Sequence, residues 1–116
     1  MRFPRSHRLT TRAELHNVGL KGKRMRTEHL EVRALASPSS HPRVGFIIPR
    51  YRHSAVDRNR LKRRLREIVR MALLHRLPAV DVVIRARPSA YEASFEMLLS
   101  ELGRLERPLS GMVEGS

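Results

Sequence analysis

No cysteine occurs among the 116 residues, so neither disulfides nor thiolate metal sites are available. That usage fits a reducing compartment, and a cytoplasmic protein is expected. Tryptophan is also absent, and the aromatics amount to three Phe and two Tyr. No apolar run approaches the roughly 18 residues needed to span a membrane. The N-terminal MRFPRSHRL lacks the apolar stretch of a secretory signal, so no signal is expected. Negative charge is scarce: 11 Asp and Glu stand against 24 Lys and Arg, a formal net charge of +13. Such an imbalance implies a polyanionic partner, nucleic acid first and an anionic membrane surface second. With 41% hydrophobic residues the chain is not compositionally disordered. Its length suits one domain, placed at residues 1–108, with a flexible tail at 109–116.

The positive charge is local. Residues 1–26 carry eight Lys and Arg against Glu14, and residues 50–76 carry ten against Asp57 and Glu67. Residues 88–116 reverse the sign, with two Arg against five Glu.

Three stretches open with a hydroxyl followed three residues later by an acid: Thr11 and Glu14, Ser54 and Asp57, Ser89 and Glu92. In that spacing the hydroxyl and the carboxylate satisfy free amides of a helix's first turn. The pattern predicts a short helix from Thr11 to Val18, ended by Gly19 and Gly22, and a second from Ala55 to His75, stopped by Pro78. A third is expected from Ala90 to Glu106, ended by Pro108, with Phe95, Leu98, Leu99, Leu102 and Leu105 as its buried stripe. Strands fall between these helices. Residues 29–36 alternate like a half-buried strand. Residues 43–49 and 79–86 are short, nearly continuous apolar runs, the latter central, and residues 24–27 form a further short strand. The order α-β-β-β-α-β-α predicts an α+β fold, a two-layer sandwich of helices on a small mixed sheet.

The second helix is the most informative element. In AVDRNRLKRRLREIVR, residues 55–70, nine side chains are charged and seven of those are positive. On a helical wheel Leu61, Leu65, Ile68, Val69 and Ala72 share one arc, the core face. Asn59, Arg63, Arg66 and Arg70 form the opposite stripe. Arg58 and Lys62 flank the core arc, and Arg60 and Arg64 widen the polar face. A merely solvated face usually mixes signs, and this one hardly does. A membrane-surface helix would expose large apolar residues, which this helix needs for the core. A DNA-binding helix-turn-helix would place a helix before it, where a strand stands instead, so neither membrane nor DNA is an expected partner. Arginine predominates, which suits bidentate phosphate contacts and stacking on bases.

RVGFIIPRYRHSAVDRNRLKRRLREIVR, residues 43–70, resembles the signature of the bacterial ribonuclease P protein component, in which an RVG strand leads through a basic link into a helix bearing RNR.KR..RE. Arg58, Asn59, Arg60, Lys62, Arg63, Arg66 and Glu67 match that motif. Residues 3–15 and 81–88 resemble the family's N-terminal segment and last strand. The resemblance implies the small subunit of an RNA enzyme that cuts the 5′ leader from precursor tRNA, an endoribonuclease whose catalytic centre and magnesium lie in the RNA. It also implies a left-handed strand–helix–strand crossover, against the usual right-handed rule. No catalytic residue and no bound cofactor or metal is expected in this chain. The candidate RNA-binding residues are Arg50, Arg58, Asn59, Arg60, Lys62, Arg63, Arg66 and Arg70.

The resemblance further implies a cleft between helix and sheet for the single-stranded leader of precursor tRNA. The family often has aromatics where this chain has Leu15, Gly19 and Arg33, and its link usually reads Lys-Lys, an apolar residue and Gly where this chain has Arg50, Tyr51, Arg52 and His53. Arg12, Leu15, Arg33 and Tyr51 are the candidate cleft residues. The six His, at positions 7, 16, 29, 41, 53 and 75, show no metal-ligand spacing. No glycine-rich phosphate loop, nucleophile elbow or paired-carboxylate motif occurs. The alternative reading is a non-enzymatic RNA-binding or ribosome-associated protein of similar fold.

Overall fold

Thr11 and Ser54 act as the helix caps that their spacing predicts. In the computed structural model, which describes residues 4–114, Thr11 Oγ1 accepts from the Glu14 N–H at 3.2 Å and Glu14 Oε1 accepts from the Thr11 hydroxyl at 2.8 Å. This box opens α1, Arg12–Lys21. Ser54 Oγ accepts from the Asp57 N–H at 3.1 Å and opens α2, Ala55–Ala72. The strands are β1 (Lys23–Arg26), β2 (Leu30–Ala36), β3 (Arg43–Ile47) and β4 (Val80–Ala86). Two more helices follow, α3 (Phe95–Gly103) and α4 (Glu106–Glu114), and short 3-10 turns lie at Arg5–His7, Leu74–Arg76 and Pro88–Glu92.

Several boundaries differ from the expectation. Helix α2 ends at Ala72, and the residues up to the expected His75 pass into the 3-10 turn at Leu74–Arg76. Helix α1 runs through Gly19 to Lys21, because the close approach comes later, at Gly22. A β-carbon there would collide with the Val18 carbonyl and crowd Ala34. The third capping signal misplaces its helix. Ser89 and Glu92 lie in a single 3-10 turn that begins with Pro88, and Ser94 caps α3 instead, accepting from the Met97 N–H at 3.1 Å. Pro108 does not end the last helix but sits in the first turn of α4, where a missing N–H costs no intrahelical bond. The expected tail from residue 109 is therefore helical through Glu114, with Leu109 fully buried. Residues 115 and 116 lie outside the described residues.

The four strands form one sheet in the order β1-β2-β4-β3. β2 pairs antiparallel with β1 and with β4, and β3 pairs parallel with β4, with Val44 opposite Val82 and Phe46 opposite Ile84. β4 is thus central, and α2 is the crossover between two neighbouring parallel strands. One sheet face presents Leu30, Val32, Ala34, Val44, Val82 and Ile84. Against it pack Leu61, Leu65, Ile68 and Val69 of α2, Leu98 and Leu102 of α3, and Leu109 of α4. The alternate residues face the other way, where Val83 meets Leu9 and Val18, with Leu15, Leu35 and Ile47 packed around them. Helix α1 therefore covers part of the second face. Gly45 of the RVG triplet is needed there, since a β-carbon would run into Leu15 and Leu9. Arg43 locks the arrangement. Its guanidinium donates to both Asp81 oxygens, at 2.9 and 2.7 Å, and to Glu14 at 2.8 Å, tying β3 to β4 and to α1.

Candidate nucleic-acid interface

The core arc of α2 fixes where its charges can go. With Leu61, Leu65, Ile68 and Val69 at most 3% exposed, Asn59, Arg60 and Arg63 stand on the opposite side, exposed to solvent. Arg58 and Lys62, on the flanks, are half-buried. Arg58 donates from Nε to the Ile48 carbonyl at 2.8 Å, which pins the link to the helix. Burial, together with Arg66 and Arg58 nearby, lowers the Lys62 ammonium from its ordinary range. A proton on Lys62 is therefore held less tightly than on a solvated lysine. Lys62 and Arg66 also wall a hollow of about 120 Å³ with Arg8, Thr10, Leu15, Val44 and Phe46.

The helix has two acids. Glu67 accepts from Arg70 Nε and Nη2 along one edge of the guanidinium, which holds its carboxyl below the usual range. Arg70 thus belongs to the ridge by position but shares its charge. Asp57 lies 3.5 Å from the His53 ring. Arg60, Arg63 and Arg66 have no acid partner among the described residues. Arg64 donates to the Ala93 carbonyl at 3.2 Å and so joins α2 to the approach of α3. Arg50 is exposed in the link.

The candidate cleft residues divide. Arg12 and Leu15 line one hollow of about 310 Å³ with His16, Gly19, Leu20 and Ile47, between α1 and the sheet. Arg33 lies on the same sheet face, paired across the ladder with Val83, which packs under α1. Tyr51 does not join them. Its hydroxyl donates to the Ala86 carbonyl at 2.9 Å, and its ring meets Tyr91 edge-on. Sequence reasoning missed the companions of Arg33. Arg24 pairs opposite Arg33, Arg26 opposite Glu31, and Glu31 opposite Arg85, so four arginines share one sheet face with one glutamate. Glu31 reaches Arg24, Arg26 and Arg33 at 3.9, 3.7 and 3.5 Å. The signal was present in the period-2 alternation of strands already assigned. The ring cluster around Tyr91 gave no such signal, because 40 residues separate Tyr51 from Tyr91.

Among the described residues, no three His, Asp or Glu side chains gather to hold a metal ion, and no helix is long and apolar enough to cross a membrane. The arrangement is that of a binding surface: a cationic ridge on one helix and a basic, partly apolar hollow beside the sheet.

The family model Ribonuclease P matches residues 3–109. The ribonuclease P protein component of Aliivibrio salmonicida is 39% identical, across 94% of this chain and 97% of the relative. The solved RNase P protein of Thermotoga maritima superposes with a TM-score of 0.71 at 29% identity, covering 84% of this chain and 96% of that one. The Staphylococcus aureus RNase P protein gives a TM-score of 0.78 at 22% identity, covering 88% and 94%, a likeness of fold.

Proposed function

From the membership of this chain in the ribonuclease P protein family, the protein component of an RNA–protein endoribonuclease in which the RNA is the catalyst, we propose that α2 is its contact with the catalytic RNA. Asn59, Arg60, Arg63 and Arg66 face the RNA backbone, Arg58 and Lys62 reach it from the flanks, and Arg50 and Arg70 extend the surface at either end. The observation that carries this reading is the pairing of a fully buried stripe with three arginines that lack an acid partner among the described residues. An unneutralised cationic ridge destabilises its own helix by repulsion unless an anion covers it.

The second surface, Arg12, Leu15, Leu20, Ile47 and Arg33, with Arg24, Arg26 and Arg85 beside it, receives the single-stranded 5′ leader of precursor tRNA. Arginine supplies phosphate contacts and guanidinium stacking there, and Leu15 and Leu20 supply apolar contact with bases. In this reading magnesium belongs to the RNA partner, no cofactor is held by the protein, and the complex works in the cytoplasm.

The test mixes the full chain with a bacterial ribonuclease P RNA and precursor tRNA at low magnesium. Cleavage should be enhanced by the parent chain. The double variant Arg63→Ala, Arg66→Ala should bind the RNA more weakly with thermal stability nearly unchanged or slightly raised, since self-repulsion falls, and its salt slope should be shallower by about 0.7–0.9 per lost contact. Equal affinity of parent and double variant across a salt series would remove the ridge as the binding surface. Binding without enhanced cleavage would favour a non-enzymatic RNA-binding role.

A further inference from the structure

The link between β3 and α2 gathers three rings that a phosphate-binding ridge does not use. His53 lies flat on Tyr91, with ring centroids 3.9 Å apart and planes 2° from parallel. Tyr51 meets Tyr91 edge-on, at 6.4 Å and 89°. These are both tyrosines of the chain. Their hydroxyls are turned inward, Tyr91 donating to the Pro49 carbonyl at 2.6 Å and Tyr51 to that of Ala86 at 2.9 Å. The rings are therefore fixed in orientation, yet none is in the core: all three are half-buried. To bring them together the backbone turns left-handed at two successive non-glycine residues, Tyr51 (φ 48°) and Arg52 (φ 75°). Side chains rarely adopt that conformation without support from their surroundings.

The stack forms one wall of a hollow of about 240 Å³ whose other walls are Asp57, Arg60, Leu61 and Arg64. Arg60 is exposed and has no acid partner among the described residues. Arg64 is anchored on Ala93 and so held at the rim. Asp57, part of the α2 cap, stands beside the ring edge. A flat π surface, two guanidinium groups and one carboxylate are the three things an unpaired nucleotide can use: a stacking face, phosphate contacts and an acceptor for a base amino group. A helical RNA segment could use the arginines but would have no access to the ring face, since its bases are already stacked.

We propose that this hollow seats one unpaired nucleotide of the catalytic RNA, its base on the His53 face that Tyr91 leaves open and its phosphate between Arg60 and Arg64. The proposal rests on the reading of α2 as the RNA surface, and it adds a point where a base, and not only the backbone, is held.

The test compares His53→Phe with His53→Leu and His53→Ala in the full chain. All three remove the imidazole and its ring nitrogens; Phe keeps a ring, Leu keeps bulk without a π face, and Ala keeps neither. Affinity for a bacterial ribonuclease P RNA is measured over a salt series, and the bound RNA is probed with base-modifying reagents. The Phe variant should bind about tenfold more tightly than the Leu or Ala variant, the magnitude of one base stack. The ratio should be the same at every salt concentration, because no counterion release separates them. One unpaired nucleotide should be protected with the parent and the Phe variant and reactive with the other two. Equal affinities for Phe and Leu, or no nucleotide whose protection follows the ring, overturns the base seat while leaving α2 as the RNA surface. A parent chain that fails to bind the RNA overturns both.

Discussion

Glu101 is the most deeply buried acid among the described residues, at 2% exposure. Its carboxylate accepts from the His29 backbone N–H at 2.8 Å and lies 2.5 Å from His29 Nδ1, which fastens the start of β2 to α3. Burial raises a carboxyl's pKa, but bonds from the Thr27 hydroxyl and from the backbone and ring of His29 outweigh it here, and Glu101 is held below its ordinary value of 4.5. A folded-state value below the unfolded one means that the ionised carboxylate stabilises the fold above about pH 4.5 and that this contribution is lost as pH falls through the lower folded value. Glu101→Gln should therefore cost about 2 kcal/mol at neutral pH. The gap between parent and variant should close as urea melts are repeated below about pH 4.5. A gap that stays constant into strong acid would mean that the charge of Glu101 contributes nothing. Contacts of this kind are not legible in a sequence. His29 and Glu101 are 72 residues apart, Arg43 and Asp81 38 apart, and neither pair has a local pattern that announces it.

At the scale of elements, α2 was the most legible because two periodic signals coincide in it. Leu61, Leu65, Ile68 and Val69 mark one face by their spacing, and the arginines mark the other by theirs. Leu65→Ala should cost about 2–5 kcal/mol in a denaturant melt, since the side chain is fully buried against the sheet. A loss well under 1 kcal/mol would put the wrong face of the helix in the core. The end of the chain was less legible for a physical reason. A proline stops a helix when it lies beyond the first turn and is harmless within it, and the residues alone do not say on which side of a break it falls. Pro108 reads as a stop and lies in the first turn of α4. Ser94 lacks the acid at the third position that marks a capping box, yet its hydroxyl alone satisfies the Met97 amide.

Across the whole molecule the charge is sorted by surface. The ridge of α2 lies on the side of the sheet that holds the core, and the hollow of Arg12 and Leu15 lies on the other side with Arg33. The molecule measures 39 by 28 by 28 Å, so one protein can touch an RNA on one flank and a single strand on another. The hollow has no Phe or Tyr among its lining residues, and its one ring is the exposed His16 imidazole. Base stacking on a ring contributes about 1–3 kcal/mol per base. With only that imidazole to stack on, the proposed leader site draws its attraction mainly from Arg12, Arg33 and the arginines beside them, and that attraction is screened by salt. The preference of the reconstituted RNA–protein enzyme for tRNA with a short leader over tRNA without one should therefore fade steeply as salt rises. Leu15→Phe should strengthen that preference by up to about 1–2 kcal/mol, because it adds a ring to the wall of the hollow. Arg33→Ala should weaken it more than any other change on β2. Glu31 already draws on Arg24 and Arg26 as well as Arg33, so removing Arg33 takes positive charge from the sheet face and leaves the acid in place. The measurement is affinity for the two tRNA forms at several salt concentrations, with parent, Leu15→Phe and Arg33→Ala side by side. A leader preference that survives high salt and ignores Arg33→Ala would move the leader to another surface.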